Sequence, residues 1–137
     1  MNEVGELDIL RKAIRVVQGV LGPDVWVADS LPKADDLEAN LPAVVVDLLP
    51  GSEVAAWGGE TITALVDYVT LDVEVVDSSR AKATEVGVKV RRALHQLPFI
   101  EGTGVKDVDC PRLSTREEIN HRVKVIGTVV DLAVTGP

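Results

Sequence analysis

The longest regular pattern in the chain is an alternation of apolar and polar residues over residues 61–76. Aliphatic side chains occupy one set of alternate positions and polar side chains the other: Leu65, Val69, Leu71, Val73 and Val75 against Tyr68, Thr70, Asp72 and Glu74. A period of two is typical of a strand with one buried face and one solvent-facing face. We therefore predict one long strand here.

A helix is predicted directly after this strand, because capping residues precede an amphipathic segment. Asp77, Ser78 and Ser79 carry oxygens that can accept hydrogen bonds from the free amides of a helix start. Between residues 83 and 97 the apolar residues recur every three or four positions: Ala83, Val86, Val90, Ala93, Leu94 and Leu97. Since the helix must fold back onto the sheet, we expect it to cover the strand's apolar face.

The first helix is predicted over residues 6–21, with Gly22 and Pro23 ending it. Its main apolar stripe has the spacing of one helical face: Leu7, Leu10, Ile14, Val17 and Leu21. Four more apolar residues widen the arc to about half of the circumference, beyond the roughly 100° that one sheet requires: Ile9, Ala13, Val16 and Val20. This helix is either wedged between two elements of its own chain or touches another subunit. With only two helices predicted, we favour the second interpretation and take these four residues as subunit-interface candidates.

Two more strands are predicted between the first helix and the long strand. Residues 25–28 form a short strand, and residues 43–49 form a strand that is apolar on both sides, as in the centre of a sheet. A polar connector, residues 29–40, joins them. The loop of residues 51–60 lies between two strands and should link them as an antiparallel hairpin.

The C-terminal part predicts two strands. Residues 105–113 form a weaker strand that Pro111 demotes to a sheet edge, and residues 114–119 form a polar turn. The last strand, residues 121–134, alternates at first and is apolar on both sides from Val129 onward. Such a strand is buried on two faces or pairs with something outside the chain, so Val130 and Leu132 are further subunit-interface candidates.

These elements predict a single α+β domain over residues 1–137, a length sufficient for one hydrophobic core. The element order is α-β-β-β-α-β-β, a mostly antiparallel sheet of about five strands with two helices packed on one face. Aromatic residues make up only 3% of the chain, so the core must be aliphatic. No apolar run reaches the length of a membrane span, and the acidic N-terminus is unlike a secretory signal.

Charge is distributed unevenly along the chain, whose net charge is −8. Residues 24–77 hold twelve acids and one lysine, a net of −11, whereas residues 78–137 hold ten bases and seven acids, a net of +3. The overall acidity argues against binding along a phosphate backbone. The unlike regions either keep an aliphatic protein in solution or pair between copies, and charge alone favours the first interpretation.

The sequence contains little catalytic chemistry. Neither His95 nor His121 has a sequence neighbour that would complete a metal pair, and no serine lies in a Gly-x-Ser-x-Gly motif. Cys110 is expected to be a small buried thiol, and Asp107 and Asp109 are expected to be solvated acids. We therefore predict no enzyme, no cofactor and no metal site.

Two features point to surfaces rather than to chemistry. The second helix is basic on its outer side, through Arg80, Lys82, Lys89, Arg91 and Arg92. We interpret this side as a solvated or partner-facing surface rather than a nucleic-acid helix, so no direct sequence-specific nucleic-acid binding is expected. Trp57, in the loop of residues 51–60, either folds back onto its own strands or anchors a partner.

The order of the elements and several local signatures together resemble one protein family. The signatures are Gly22-Pro23 after the first helix, Pro42-Ala43-Val44-Val45-Val46, Asp72-Val73-Glu74-Val75-Val76, a helix starting near Ser79-Arg80-Ala81, Pro111-Arg112-Leu113 and the long last strand. Over nearly its whole length the chain resembles the tail terminator, or tail-completion, proteins of long-tailed bacteriophages.

The resemblance implies a structural virion protein at the head–tail junction, made in the host cytoplasm. Proteins of that family form a hexameric ring that caps the finished tail tube, halts its polymerisation and offers a surface to the neck of the capsid. The implied partners are further copies of the chain, the tail tube protein and a neck or head-completion protein. Exposed loops are the expected tube or neck contacts, with these candidate residues: Asp35, Asp36, Glu53, Trp57 and Glu60.

Two alternative functions stay open at this stage. A neck or head-completion ring protein is the nearest, because the sequence pattern does not separate it from a tail terminator. A small non-catalytic ligand-binding or regulatory α+β domain is the other. That domain would need a pocket with convergent polar groups, and the sequence indicates none.

Overall fold

The computed structural model describes residues 3–49, 66–118 and 121–135. The described part contains two α-helices and six β-strands: α1 (Glu3–Leu21), β1 (Trp26–Ala28), β2 (Ala43–Leu48), β3 (Val66–Asp77), α2 (Arg80–His95), β4 (Val105–Asp109), β5 (Ser114–Thr115) and β6 (Lys124–Thr135). Short 3-10 turns lie at Ala34–Asp36, Glu38–Asn40 and Leu97–Phe99. The predicted α+β class and the predicted order of the main elements are confirmed.

All six strands belong to one sheet, in the order β1-β2-β3-β6-β4, with β5 also paired to β6. β1 runs parallel to β2, and the other pairs are antiparallel. The longest pairing joins β3 to β6 from Val66 opposite Thr135 to Asp77 opposite Lys124. β2 and β3 pair antiparallel as predicted, and the segment between them lies outside the described residues.

The main core lies between the sheet and the two helices. The alternation predicted for β3 is observed, because the apolar residues at its odd-numbered positions are fully buried: Val69, Leu71, Val73 and Val75. The even-numbered positions include Tyr68, which is 49% exposed. Both helices pack on the apolar face of the sheet and against each other. The aliphatic composition therefore forms one continuous core between two layers.

The wide apolar arc of α1 is explained by contacts within the chain. α1 packs on the sheet and also on α2, so Ile9 is 5% exposed and Ala13 is fully buried. On β6, Val130 and Leu132 are also fully buried. These four interface candidates have no surface to offer another subunit, and the wedged arrangement holds instead. The remaining two candidates differ, as Val16 is half-buried and Val20 is 51% exposed.

A smaller apolar cluster lies on the other face of the sheet. The connector between β1 and β2 folds over one end of this face, and Leu37 packs there on Ala43, Val76 and Val125. β2 is thus buried on both sides at its Ala43 end, while Asp47 is exposed, and the strand lies between β1 and β3, as its composition predicted. We call the remaining, uncovered part of this side the open face.

Several boundaries differ from the sequence predictions, including the start of β6, which is at Lys124 rather than at residue 121. α1 begins at Glu3 rather than at residue 6, and the predicted strand over residues 105–113 ends at Asp109. Pro111 lacks an amide hydrogen, so pairing stops before it. The predicted polar turn instead contains β5, which pairs with β6 at Gly127 and Ile126. The end of β6 is not buried on two faces, because Val129 is 41% exposed on the open face.

Neighbouring valines on β6 provide a matched test of the two faces. Val130→Ala removes two carbons from the core, and we expect it to lower the free energy of unfolding by about 2 kcal/mol, including the cavity that remains. Val129→Ala should lower it by less than about 0.5 kcal/mol, because 41% of this residue's surface is already exposed to solvent. Urea unfolding at one fixed protein concentration measures both changes. Equal losses would contradict the assignment of the faces.

Candidate functional site

The basic surface is built on α2. The helix begins where Ser79 Oγ accepts a hydrogen bond from the Lys82 amide at 3.2 Å, which confirms the predicted N-cap. Its buried side is apolar: Ala83, Gly87, Val90, Ala93 and Leu94. Burying that side turns the basic residues outward, and Arg80, Lys82, Lys89 and Arg92 are exposed. The predicted basic outer side of this helix is therefore observed.

A groove of about 400 Å³ lies between α2 and the segment around β5. We call it the basic groove, and it is lined by Thr84, Gly87, Val88, Arg91, Arg92, His95, Arg112, Leu113 and Ile126. Arg91 Nε donates to the carbonyl oxygen of Cys110 at 2.6 Å, which ties α2 to the far wall. Among the described residues, neither Arg92 nor Arg112 forms a salt bridge. Arg92 and Arg112 thus line an apolar floor without carboxylate partners among the described residues.

Gly87 determines how close the helix comes to the floor of the groove. A Cβ at this position would lie 3.1 Å from Ile126 Cδ1 and 3.5 Å from Leu113 Cδ2. A glycine in a helix interior is less stable than alanine by about 1 kcal/mol. Here it allows α2 to lie directly on β6 beneath the arginine side chains.

The acidic surface is the connector of residues 29–40, which we call the acidic connector. It contains four acids and one lysine: Asp29, Asp35, Asp36, Glu38 and Lys33. All five side chains are exposed. Asn40 Nδ2 donates to the Asp36 carbonyl at 2.8 Å, and buried Leu37 anchors the segment. The predicted contact residues Asp35 and Asp36 are therefore displayed on an anchored segment.

On the open face, one arginine neutralises two acids of β3. Arg116 contacts Asp72 through two nitrogens at 2.9 and 3.0 Å and Glu74 through one at 3.1 Å. The pKa of Arg116 is raised above its usual value, mainly by the hydrogen bond to Asp72. Partial burial lowers this pKa, and the hydrogen bond to Glu74 raises it further. The side chain crosses Gly127, where a Cβ would come within 2.6 Å of Arg116 Cζ. A glycine is thus required for this ion pair to lie flat on the sheet.

Other acids on the open face lie opposite one another. The register pairs Asp47 with Asp72 and Asp109 with Asp131. Directly opposed like charges weaken a sheet, and Arg116 compensates at the first pair. At the second, Asp131 Oδ1 accepts a hydrogen bond from Thr70 Oγ1 at 2.9 Å. No group of three or more His, Cys, Asp or Glu among the described residues is placed to hold a metal ion.

Apolar side chains are also exposed, and Phe99 was missed by the sequence analysis. It lies in the 3-10 turn after α2 with 81% of its surface exposed, and the next residue, Ile100, is 39% exposed. The signal was present, because residues 98–100 are apolar yet lie beyond the last position of the helical stripe. Exposed aromatic side chains are enriched at protein interfaces.

The remaining residues considered from the sequence have simple positions. Cys110 is buried, as predicted, and burial raises the pKa of its thiol to about 11 against the opposing charge of Arg91. His95 lines the basic groove, while His121 is exposed. Three candidate contact residues lie outside the described residues: Glu53, Trp57 and Glu60.

The fold and these surfaces define a two-layer α+β protein that carries opposite charges on opposite faces of one sheet. None of the described helices is long and apolar enough to cross a bilayer. No protein-family model and no curated protein matches the sequence. Among solved structures, the chain is similar to a chain of the "virion of native gene transfer agent (GTA) particle", with a TM-score of 0.57 and 18% identity over 93% of this chain and 92% of that one. At this identity the similarity establishes a shared fold.

Substitutions at Arg116 and Gly127 should be strongly coupled. Arg116→Ala removes partly exposed ion pairs and should lower the free energy of unfolding by about 1 kcal/mol. Gly127→Ala should displace the same guanidinium and cost a similar amount. In the Arg116→Ala background, however, Gly127→Ala should be neutral or stabilising, because alanine favours the strand over glycine. A double-mutant cycle in urea measures this coupling, and additive losses would contradict it.

The Cys110 thiol should react slowly in the folded protein. Thiolate is the reactive form, and a thiol with a pKa of about 11 is ionised in roughly one molecule in a thousand at pH 8. We expect iodoacetamide labelling at pH 8 to be about a hundredfold slower in buffer than in urea. Mass spectrometry measures both rates. Equal rates would show an accessible thiol with an ordinary pKa.

Proposed function

We propose that this chain is a structural virion protein that forms a ring of six copies, caps the tail tube, stops its polymerisation and joins the tail to the capsid neck. The observation that carries the proposal is the fold shared over nearly the full length of both chains with a chain of a gene transfer agent virion. The structural similarity supports a structural virion protein, and the family resemblance in the order of the sequence signatures supports the finer assignment to tail capping.

The surface chemistry supports an assembly role. Phe99 is 81% exposed and Val20 is 51% exposed, and a contact that covers them would remove apolar area from water at roughly 25 cal/mol per Å².

The proposal also specifies partners and location. The partners are other copies of the chain, the tail tube protein and a neck or head-completion protein. The protein acts in the virion at the head–tail junction and is made in the host cytoplasm. It works without catalysis, without a cofactor, without a membrane and without direct sequence-specific contacts to nucleic acid. Asp35 and Asp36 of the acidic connector are the proposed tube or neck contacts among the described residues.

The test combines a measurement of the copy number with an assay of tube capping. Native mass spectrometry of the purified chain should give six copies, and adding the chain to polymerising tail tube protein should stop tube growth, as measured by electron microscopy. Phe99→Ala should keep the thermal midpoint within about 2 °C, because a side chain that is 81% exposed contributes little to folding. We expect the same variant to weaken ring formation or capping.

Three outcomes would redirect the assignment. A ring that binds the capsid portal side but leaves tube growth unchanged would indicate a neck or head-completion protein instead. A stable dimer without effect on tubes would favour a ligand-binding or regulatory domain. A large fall in the melting temperature of Phe99→Ala would show that this side chain stabilises the fold. Val129→Ala, a truncation of another exposed apolar side chain, is the control for this measurement.

A further inference from the structure

Two oppositely charged surfaces lie on opposite faces of the same strand. On β6, Val125 packs beneath the acidic connector and the adjacent Ile126 forms part of the floor of the basic groove. Neighbouring residues of a strand point to opposite faces. The sheet therefore stands between the two surfaces, and one chain cannot bring its own connector into its own groove.

The basic groove has the chemistry of a site for carboxylates. Arginine presents a planar fork of donors that matches a carboxylate in two hydrogen bonds. Arg92 and Arg112 are exposed and form no salt bridge with the described residues. Between them the floor is apolar, and Val88 is 47% exposed. An acidic segment of protein that also carries small apolar residues would fill this groove.

The acidic connector is a segment of that composition. Its exposed acids, Asp35, Asp36 and Glu38, are flanked by Ala34 and Ala39, which are also exposed. It is held in place by Leu37 and by the hydrogen bond from Asn40, so little ordering is needed on binding. Its charge complements the groove, which points to a second copy of this chain as the occupant.

We infer that the basic groove of one copy binds the acidic connector of the next copy, with Arg92 and Arg112 facing Asp35 and Asp36. This contact rests on the ring in the proposed function and specifies its interface; it assigns Asp35 and Asp36 to the contact between copies, in place of the tube or neck contact considered for them above. Such a contact is heterologous, because two different surfaces meet, and it closes into a ring when the rotation per copy divides a full turn. Salt should weaken it, since its charges lie near the surface.

Charge reversal provides the test. The groove variant, R92E with R112E, and the connector variant, D35K with D36K, change only exposed side chains and should keep the wild-type melting temperature. Each alone should raise the protein concentration at half-assembly by about tenfold or more, as measured by light scattering after size-exclusion chromatography. The matched control, K82E with K89E, makes the same charge change on α2 outside the groove and should assemble like the wild type.

Mixing the two variants in equal amounts sharpens the result. In a ring where the two variants alternate, half of the contacts join a reversed groove to a reversed connector. The other half join an original groove to an original connector. We therefore expect the mixture to recover the wild-type assembly, provided that the copy number is even. A chain that carries all four substitutions should recover it alone.

The remaining outcomes separate the two proposals. Wild-type rings that persist in both variants would overturn this interface and leave the ring function standing. A wild-type monomer at all concentrations would overturn both. Intact variant rings that lose binding to double-stranded DNA in a gel-shift assay, where the wild type binds, would also overturn the inference, because the groove would then serve nucleic acid.

Discussion

The twelve-residue pairing of β3 with β6 is the interaction on which the other features depend. Because side chains alternate along both strands, this one register decides which residues enter the core and which face solvent. It sets Leu71 opposite Val130 beneath the helices and Asp72 opposite Val129 on the open face. A slip of one residue would turn the aliphatic side chains outward and bury the acids, so the core itself maintains the register.

Sequence patterns predicted the elements where a single periodicity dominates. β3 and α2 follow from the alternation and from the cap at Ser79, because both depend on residues close together in the chain. The width of the apolar arc on α1 indicated that this helix contacts more than one element, although Leu7 and Val20 of the arc are exposed. It could not show what covers the helix, and Ile9 and Ala13 were assigned to another subunit although α1 is wedged between the sheet and α2.

The surfaces were less predictable, because each combines segments that are distant in the sequence. Arg116 reaches Asp72 across 44 positions, and the basic groove joins α2 to Arg112. The sequence does contain one signal for the contact between Arg116 and Asp72. A glycine inside an apolar strand marks a close approach of another group, and Gly127 lies where the guanidinium crosses the sheet. Identifying Arg116 as that group requires the register of β5 on β6. The two polar residues of β5, Ser114 and Thr115, do not reveal this register in the sequence.

A heterologous contact forms a closed ring rather than an open filament only when the angle between the two contact surfaces is well defined. In this chain both surfaces are attached to β6, the connector through Val125 and the groove through Ile126. Changing their relative angle would require this strand to bend while it is paired with β3 on one side and with β4 and β5 on the other. In the proposed ring, the rotation between neighbouring copies would therefore be constrained by the sheet to which both surfaces are attached.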